Sequence, residues 1–416
     1  MSRPEAQSGN YKWFVVAMLW CVCFLNYADR QAIFALFPLL HTQLGLTDVQ
    51  LALVGSSFMW MYAASGPVAG WLGDRFSRKG LILGGLLLWL CAAAATVIAR
   101  SFAQLAVLRA FSGLAEAVYF PAAMSLISSY HGPETRSRAM SAHQSAVYAG
   151  TVGGGVIASL VGEHFGWRGS FIAFGALGVV LLVIVSALLK EPPRPMARRG
   201  SQPNAGLRAS IGEVLGSAAA LRLIAGFIGA NFVAMVFMVW MPSFLYRKFH
   251  MSLSVAGANA TVYLAAASVL GVVTGGVLGD ALARRGAGGR MRIQAFGVLA
   301  GVPFLFLTGW TLSVPLLLGA MLGFGFCKGV YESNLWASLY DVVRPECRAS
   351  AVGVMNSLGW LGGGVAPLAI AAASARYSMS LCLSATSLVY LLVAAVLLWN
   401  AHAITARAKR DAMYAV

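Results

Sequence analysis

Several ionisable side chains lie inside long apolar segments of this 416-residue sequence: Asp29, Arg30, Arg109, Glu116, Lys328 and Glu332. Charged groups cost free energy in hydrocarbon, so inside a membrane they usually mark a pathway for ions or polar molecules. Asp29 and Glu116 could carry protons, because a poorly solvated carboxyl group takes up a proton more readily than one in water. Arg30 and Lys328 could bind an anion through charge-assisted hydrogen bonds.

The same charges also allow a purely structural interpretation. Asp29 and Arg30 are adjacent, so on a helix their side chains point about 100° apart and do not face each other. Arg109 precedes Glu116 by about two helical turns and lies on a similar face. Permanent Asp29–Arg109 and Glu116–Arg30 pairs would neutralise these charges without any role in transport. The residues alone leave both interpretations open.

The apolar content of the chain requires a membrane. Apolar residues make up 59% of the sequence and charged residues only 11%, whereas a soluble domain has about 25% charged residues. About 20 apolar residues in a helix cross the hydrocarbon. The sequence therefore predicts an all-α polytopic membrane protein with the lipid bilayer as its surroundings. Its twelve predicted spans lie near residues 13–40, 50–73, 80–99, 101–130, 138–162, 168–189, 221–246, 254–279, 291–311, 313–342, 348–373 and 378–401.

Basic residues predict the orientation and the organisation. The chain has 30 Lys and Arg against 14 Asp and Glu, a formal net charge of +16. With both termini in the cytoplasm, 22 of the 30 cations fall in cytoplasmic segments, as expected for a bacterial inner-membrane protein. This balance needs no nucleic-acid partner. We expect an N-terminal six-helix half over 1–189, a cytoplasmic linker over 190–220, and a C-terminal six-helix half over 221–416.

The two halves resemble each other in sequence. The stretch GWLGDRFSRK at 70–79 recurs as GVLGDALARR at 276–285, and PETR at 133–136 recurs as PECR at 345–348. Two ordered matches with nearly the same spacing indicate two parallel repeats. Transporters built from such repeats bind substrate near the membrane midplane, at the interface of the repeats.

The repeat aligns the acid of span 4 with a base of span 10. Glu116 corresponds to Lys328, and Glu332 follows Lys328 by four residues on the same helical face. Lys328 either presents its ammonium group to an anionic substrate or pairs locally with Glu332.

These motifs resemble those of the major facilitator superfamily, whose hallmark loop follows the second helix and recurs after the eighth. Arg109 with Gly113 resembles the RxxxG signature of its fourth helix. The resemblance implies the major facilitator fold, with twelve helices in two pseudo-symmetric halves. A carboxylate at a helix end could latch the inner gate through exposed pairs worth about 0–1 kcal/mol, or the loop could be a topogenic charge cluster. The gating candidates are Gly70, Asp74, Arg75, Arg78, Asp280 and Arg284.

Two stretches resemble the anion:cation symporter family within that superfamily: LNYADRQ in span 1 and GLAEAVYFPAA in span 4. The resemblance implies a proton-coupled symporter in which Arg30 binds a substrate carboxylate and Asp29 and Glu116 carry protons. Val147 and Trp360 stand where sugar-acid members carry polar residues, which favours a smaller or more aromatic carboxylate. The candidate substrate-binding residues are Arg30, Tyr27, Tyr119, Gln144, Tyr148, Lys328, Tyr331, Asn334, Asn356 and Trp360.

Other classes of protein fit less well. The Asp-Arg of span 1 and the acid of span 4 also resemble Spinster-type transporters, so a lysolipid or amphiphile transporter is the alternative. A sensor would need a soluble output domain, and the predicted spans lack enzyme motifs such as HExxH or GxSxG. We expect a monomer with no metal, no disulfide and no cofactor, in which protons are the coupling ion.

Overall fold

The computed structural model describes residues 10–131, 133–191, 212, 214–344 and 348–414, and within them the regular structure is helical. We number the helices in chain order. They are α1 Tyr11–Ala35, α2 Phe37–Leu44, α3 Asp48–Arg75, α4 Arg78–Val97, α5 Phe102–Ala117, α6 Tyr119–Tyr130, α7 Pro133–Leu188, α8 Ala218–Phe249, α9 Leu253–Arg285, α10 Gly289–Trp310, α11 Val314–Glu332, α12 Leu335–Tyr340, α13 Arg348–Ser374 and α14 Met379–Tyr414.

These helices match the apolar segments closely. Ten helices in the described part of the chain are long and apolar enough to cross a membrane. One of them, Arg138–Leu188, is 51 residues long and covers two predicted spans, which meet at a bend at Gly166. Gly166 has φ of 72°, a conformation that glycine adopts without the penalty of a side chain. Helix α3, with 28 residues, corresponds to the second predicted span.

Short polar sequences begin several helices. The Thr47 side chain accepts a hydrogen bond from the Gln50 amide, and the Gln50 side chain accepts one from the Thr47 amide. Ser77 begins α4 in a related way, by accepting a hydrogen bond from the amide of Gly80. Such caps satisfy amide groups that a helix start leaves without partners.

Three predicted spans are interrupted in the structure. The first ends at Ala35 and continues as the short α2, and the fourth breaks between α5 and α6 at Val118. The tenth breaks between α11 and α12 at residues 333–334. The sequence did not predict these breaks, because the apolar runs continue through them.

Contacts divide the chain into two compact units. Unit 1 comprises Met1–Ala197 with Leu245–Thr261, and unit 2 comprises Arg198–Phe244 with Val262–Val416. In unit 1, α1 packs along α7 and α3 packs along α5. In unit 2, α10 packs against α11 and α14. The boundaries follow contacts rather than chain order, since Leu245–Thr261 groups with unit 1.

Candidate functional site

Two buried ion pairs join α1 to α5 inside unit 1. Arg30 Nε donates to Glu116 Oε2 at 2.6 Å, and Arg109 Nη1 donates to Asp29 Oδ2 at 2.6 Å. The exposed fractions of the four residues are between 1% and 5%. The charges therefore balance locally, in the two pairings that the sequence offered as a structural alternative.

Helix geometry explains why two separate pairs form. Asp29 and Arg30 point in different directions from α1, so one partner cannot serve both. Arg109 and Glu116 stand about two turns apart on α5 and meet them at two levels. Gly113, between these two levels, allows α5 to approach α3, since a Cβ there would lie 2.5 Å from the Phe58 backbone oxygen.

Aromatic rings surround the Arg30 guanidinium. Its Cζ lies 4.4 Å from the ring centroids of Tyr27 and Tyr62 and 5.0 Å from that of Phe58. Phe58 also lies 4.8 Å from the Cζ of Arg109. Cation–π contacts of this kind strengthen when water is excluded. The rings hold the guanidinium in place without consuming its hydrogen-bond donors.

The sequence did not single out Phe58 or Tyr62. They are four residues apart on α3 and therefore share a face, but aromatic residues at that spacing are common in cores. Only the packing of α3 against α5 reveals their role beside Arg30.

The pairs leave polar atoms available for chemistry. Glu116 Oε1 and Arg109 Nη2 are buried and have no hydrogen-bond partner among the described residues. A carboxylate oxygen can take up a proton, and a guanidinium nitrogen can donate to an anion. The site thus contains one group that can take up a proton and one that can donate to an anion.

Three further candidate substrate-binding residues of unit 1 differ in how deeply they are buried. Tyr119 is buried, and its hydroxyl donates to the Leu19 carbonyl at 2.5 Å. Gln144 is exposed and Tyr148 is partly buried. The structure does not bring Tyr119 and Gln144 to the Arg30 pair by any described contact, so their roles in binding substrate stay predictions.

In unit 2, Lys328 pairs with the neighbouring acid. Lys328 Nζ lies 2.7 Å from Glu332 Oε1, and their side chains are 16% and 34% exposed. The local pairing is therefore formed. Both groups are partly exposed, and binding of an anion by Lys328 stays a prediction.

The other unit 2 candidates also differ in environment. Asn334 lies at the break between α11 and α12, and its Nδ2 donates to the Gly275 carbonyl of α9 at 2.7 Å. Its amide therefore fixes the broken helix. Tyr331 is buried, whereas Asn356 and Trp360 are partly buried. Binding of substrate by these four residues stays a prediction.

A comparison with models of known protein families identifies the family of this chain. The family model described as Major Facilitator Superfamily matches residues 19–367. The chain belongs to the major facilitator superfamily.

Similar proteins fall into two groups. The probable galactarate/D-glucarate transporter GudP of Escherichia coli (strain K12) is 26% identical and covers 87% of this chain and 86% of its own. The probable sulfoacetate transporter SauU of Cupriavidus necator is 28% identical over 85% of each chain. Protein spinster homolog 1 of Homo sapiens is 27% identical over 84% of this chain and 70% of its own.

A solved structure confirms the fold. The bacterial homologue of the human lysosomal transporter Spinster, in an inward-facing and unoccupied conformation, has a TM-score of 0.84 and 22% identity. It covers 95% of this chain and 98% of its own. The predicted fold class, a multi-pass membrane protein of the major facilitator fold, is thus confirmed.

The superfamily's hallmark loop is only partly described. The surroundings of Gly70 and the side chains of Asp74 and Arg75 lie outside what the structure describes. Arg78 donates to the Ser129 hydroxyl at the end of α6, and Lys79 Nζ donates to the Ser186 carbonyl of α7 at 2.8 Å. The described cations of the loop therefore bind within unit 1.

Glu191, which follows α7, also contacts this loop. Glu191 accepts hydrogen bonds from the Ser77 hydroxyl and from the amides of Arg78 and Lys79, at the start of α4. Partial burial by itself would raise the pKa of Glu191, but these hydrogen bonds and the charge of Arg78 outweigh it and lower the pKa. A carboxylate at a helix N-terminus is also favoured by the helix dipole. No pattern in the sequence marked Glu191 as part of this loop.

The second copy of the loop has a corresponding contact in unit 2. Arg290 Nη1 lies 3.0 Å from both carboxylate oxygens of Asp341, and its Nη2 lies 3.0 Å from Asp280 Oδ1. Arg284 is exposed. Asp280, a predicted gating residue, therefore pairs with a cation of its own unit, and its gating role stays a prediction.

A bidentate ion pair holds the Leu245–Thr261 segment in unit 1. Arg247 binds both carboxylate oxygens of Asp48, at 2.8 and 2.7 Å. The Ser254 amide donates to Glu163 Oε2 at 2.7 Å. The partners are far apart in sequence, so no local pattern could have indicated these contacts.

Proposed function

We propose that this protein is a proton-coupled symporter that carries a small organic anion, a carboxylate, by alternating access. The observation that supports the proposal most is the pair formed by Arg30 and Glu116, buried and enclosed by the rings of Tyr27, Phe58 and Tyr62. Similarity to transporters named for glucarate and sulfoacetate agrees with it.

The coupling follows from competition for one cation. A substrate carboxylate that binds Arg30 takes the place of Glu116, because both use the same guanidinium donors. Glu116 would then be left buried without its partner, an arrangement that costs several kcal/mol for a charged group, about 3–5 kcal/mol for a broken buried pair. Uptake of a proton removes this charge. Anion binding and protonation of Glu116 therefore favour each other.

Asp29 and Arg109 provide a second pair at another level of the same helices. We propose that Asp29 is the second proton carrier and that Arg109 balances its charge when the proton leaves. The two carboxylates are close enough to influence each other electrostatically, so the protons belong to the pair of sites rather than to one residue.

The substrate is proposed to be smaller or more aromatic than a sugar acid. Val147 and Trp360 are partly buried and offer little hydrogen bonding to a polyol. The aromatic surroundings of Arg30 agree with a carboxylate that has an apolar body. Lys328 and the other predicted binding residues of unit 2 are proposed as auxiliary contacts.

A lysolipid or amphiphile is the second candidate substrate. The similarity to human spinster homolog 1 and to the bacterial Spinster structure favours it. An apolar cleft of about 460 Å³ in unit 2 is lined by Phe232, Ile370, Tyr377 and Leu381, among others, and could accommodate an acyl chain.

The proposal also includes the remaining expectations of the sequence. The protein is proposed to lie in the bacterial inner membrane as a monomer with both termini in the cytoplasm, with halves bounded near 1–189 and 221–416. The loop residues Asp74, Arg75 and Asp280 are proposed to control the inner gate.

A glutamine substitution tests the coupling. Glu116→Gln cannot release a proton, so in proteoliposomes it should abolish accumulation of anion driven by a pH gradient, while exchange of internal for external anion continues. Glu163→Gln is the matched control, because Glu163 is an exposed carboxylate that accepts one amide hydrogen bond. Accumulation by the Glu116 variant at the rate of the control would contradict the coupling.

A thermal-shift screen of the purified protein identifies the substrate class. The panel contains benzoate, lactate and sulfoacetate as small carboxylates or sulfonates, D-glucarate as a sugar acid, and a lysophosphatidylglycerol. Stabilisation by the small carboxylates is expected. Stabilisation by the lysolipid alone would favour the Spinster-like alternative.

A further inference from the structure

A buried histidine lies in unit 1 outside the two ion pairs. His143 of α7 is 0% exposed, and its Nε2 lies 2.9 Å from the hydroxyl of Tyr119. The two rings stack with centroids 6.0 Å apart, and the Phe120 ring packs beside the imidazole at 6.1 Å. Within the sequence this histidine has no metal spacing and no obvious partner, so nothing marks it as functional.

The hydrogen bonds define where the proton of the imidazole lies. The Tyr119 hydroxyl has one hydrogen, which it donates to the Leu19 carbonyl of α1 at 2.5 Å, since a carbonyl can only accept. His143 must therefore donate from Nε2 to the Tyr119 oxygen. Its Nδ1 is buried and has no hydrogen-bond partner among the described residues, which is the arrangement of a neutral ring. Tyr119 thus connects α1 and α7 through a directed chain of hydrogen bonds.

Tyr119 occupies a critical position in the chain. It is the first residue of α6, directly after the break at Val118, and Glu116 lies one turn earlier. The Val118 amide donates to the Glu116 carbonyl. Tyr119 and Glu116 therefore lie on either side of the same helix break, three residues apart.

The internal repeat places a different residue at the position of the histidine. Tyr119 corresponds to Tyr331 in the second half, and His143 corresponds to Met355, each 212 residues later. Tyr331 and Met355 are also buried, and the Tyr331 hydroxyl has no hydrogen-bond partner among the described residues. Unit 2 thus packs the same tyrosine without a histidine. The histidine is present in the half that holds the two buried acid–base pairs.

We propose that His143 is a positioning residue for Glu116, resting on the proposed role of Glu116 as a proton carrier. Neutral and protonated on Nε2, His143 clamps Tyr119 to Leu19 and thereby keeps the Glu116 carboxylate in register with Arg30. The other titratable groups that act on Tyr119 are Cys21, Cys23 and Tyr27 of α1. Those around Glu116 are Arg30, Asp29 and Arg109.

Infrared spectroscopy tests the clamp by a pH titration that needs no substrate. The carboxyl stretch of Glu116, assigned by its loss in Glu116→Gln, is followed against pH in the purified protein. His143→Met, which copies unit 2, should loosen Glu116 from Arg30 and raise the midpoint pH of this band by about one unit, about a tenfold change in proton affinity. His143→Gln can still donate to Tyr119 and should restore the midpoint to within about twofold of the wild-type affinity.

Further variants keep the test decisive if His143→Met folds poorly. Tyr119→Phe removes one oxygen atom and should raise the midpoint pH by the same amount as His143→Met. The Tyr119→Phe/His143→Met double variant should show no further change in the midpoint pH or in thermal unfolding. His164→Met is the control, because His164 is exposed.

Equal shifts in the Gln and Met variants, or additive effects of the two substitutions, would overturn the clamp. The infrared titration contains no substrate. A wild-type protein that takes up no anion would therefore contradict the proposed symport but would not change the infrared result.

Discussion

Arg30→Lys separates the charge at the candidate site from its shape. Lysine keeps the positive charge that Glu116 needs, so the variant avoids the cost of burying an unpaired carboxylate, about 3–5 kcal/mol. It loses the planar guanidinium that lies over the rings of Tyr27 and Tyr62 and that can bind a substrate carboxylate through two parallel hydrogen bonds. The fold should therefore survive while anion binding weakens.

The size of the effect follows from the second hydrogen bond that a guanidinium can make to a substrate carboxylate and that a lysine ammonium lacks. One hydrogen bond between charged groups contributes about 1.5–3 kcal/mol, and each 1.4 kcal/mol changes affinity about tenfold. A decrease of about 2 kcal/mol in binding free energy should therefore weaken binding of the carboxylate about 30-fold. Isothermal titration with the small carboxylate that gives the largest shift in the screen measures this change.

The control makes the same chemical change on the surface. Arg100 is exposed, so Arg100→Lys should bind the carboxylate as the wild type does. A change below about threefold for Arg30→Lys, with an unchanged melting temperature, would show that Arg30 does not bind the anion. The substrate role assigned to Arg30 would then be wrong.

Three other predictions concern stability. Asp29→Asn or Arg109→Gln alone leaves a buried charge without its partner and should cost about 3–5 kcal/mol of folding stability. The double variant removes both charges and should recover most of the melting temperature. Additive losses in the double variant would argue against direct pairing. Gly113→Ala would force a Cβ against the backbone of α3 and should cost about 1–3 kcal/mol. Gly84→Ala has open space around it and should melt at or slightly above the wild-type temperature, since alanine favours a helix more than glycine does. The lowered pKa of Glu191 stabilises the fold above the ordinary carboxyl range and loses this effect as the pH falls. Glu191→Gln should therefore lower the melting temperature at pH 7 and much less near pH 3, and an equal loss at both values would contradict the contribution of its charge.

Much of the site could be identified from the sequence because charges in apolar segments are rare. Asp29, Arg30, Arg109 and Glu116 stood out, and helical spacing placed the last two on one face of a span. The sequence offered Asp29–Arg109 and Glu116–Arg30 as structural pairs but left open whether these pairs form, because two helices far apart in sequence can meet in several registers. The folded structure of unit 1 shows that Arg30–Glu116 and Arg109–Asp29 both form.

Other residues could not have been found in this way. Tyr62, His143 and Glu191 act through partners that are distant in the chain, and none of them departs from the composition expected at its position. Aromatic residues and a buried histidine occur in ordinary cores, so their types carry no information until their neighbours are known.

The sequence by itself determined the membrane location, the helical architecture and the internal repeat. These properties depend on hydrophobicity and periodicity along the chain, which are local patterns. The tertiary structure decided the breaks at Val118 and before Leu335, the enclosure of Arg30 by aromatic rings, and the hydrogen-bond chain from His143 through Tyr119 to Leu19. These depend on distances between helices, and a hydrogen bond or an ion pair forms only when the folded backbone brings both groups within about 3 Å.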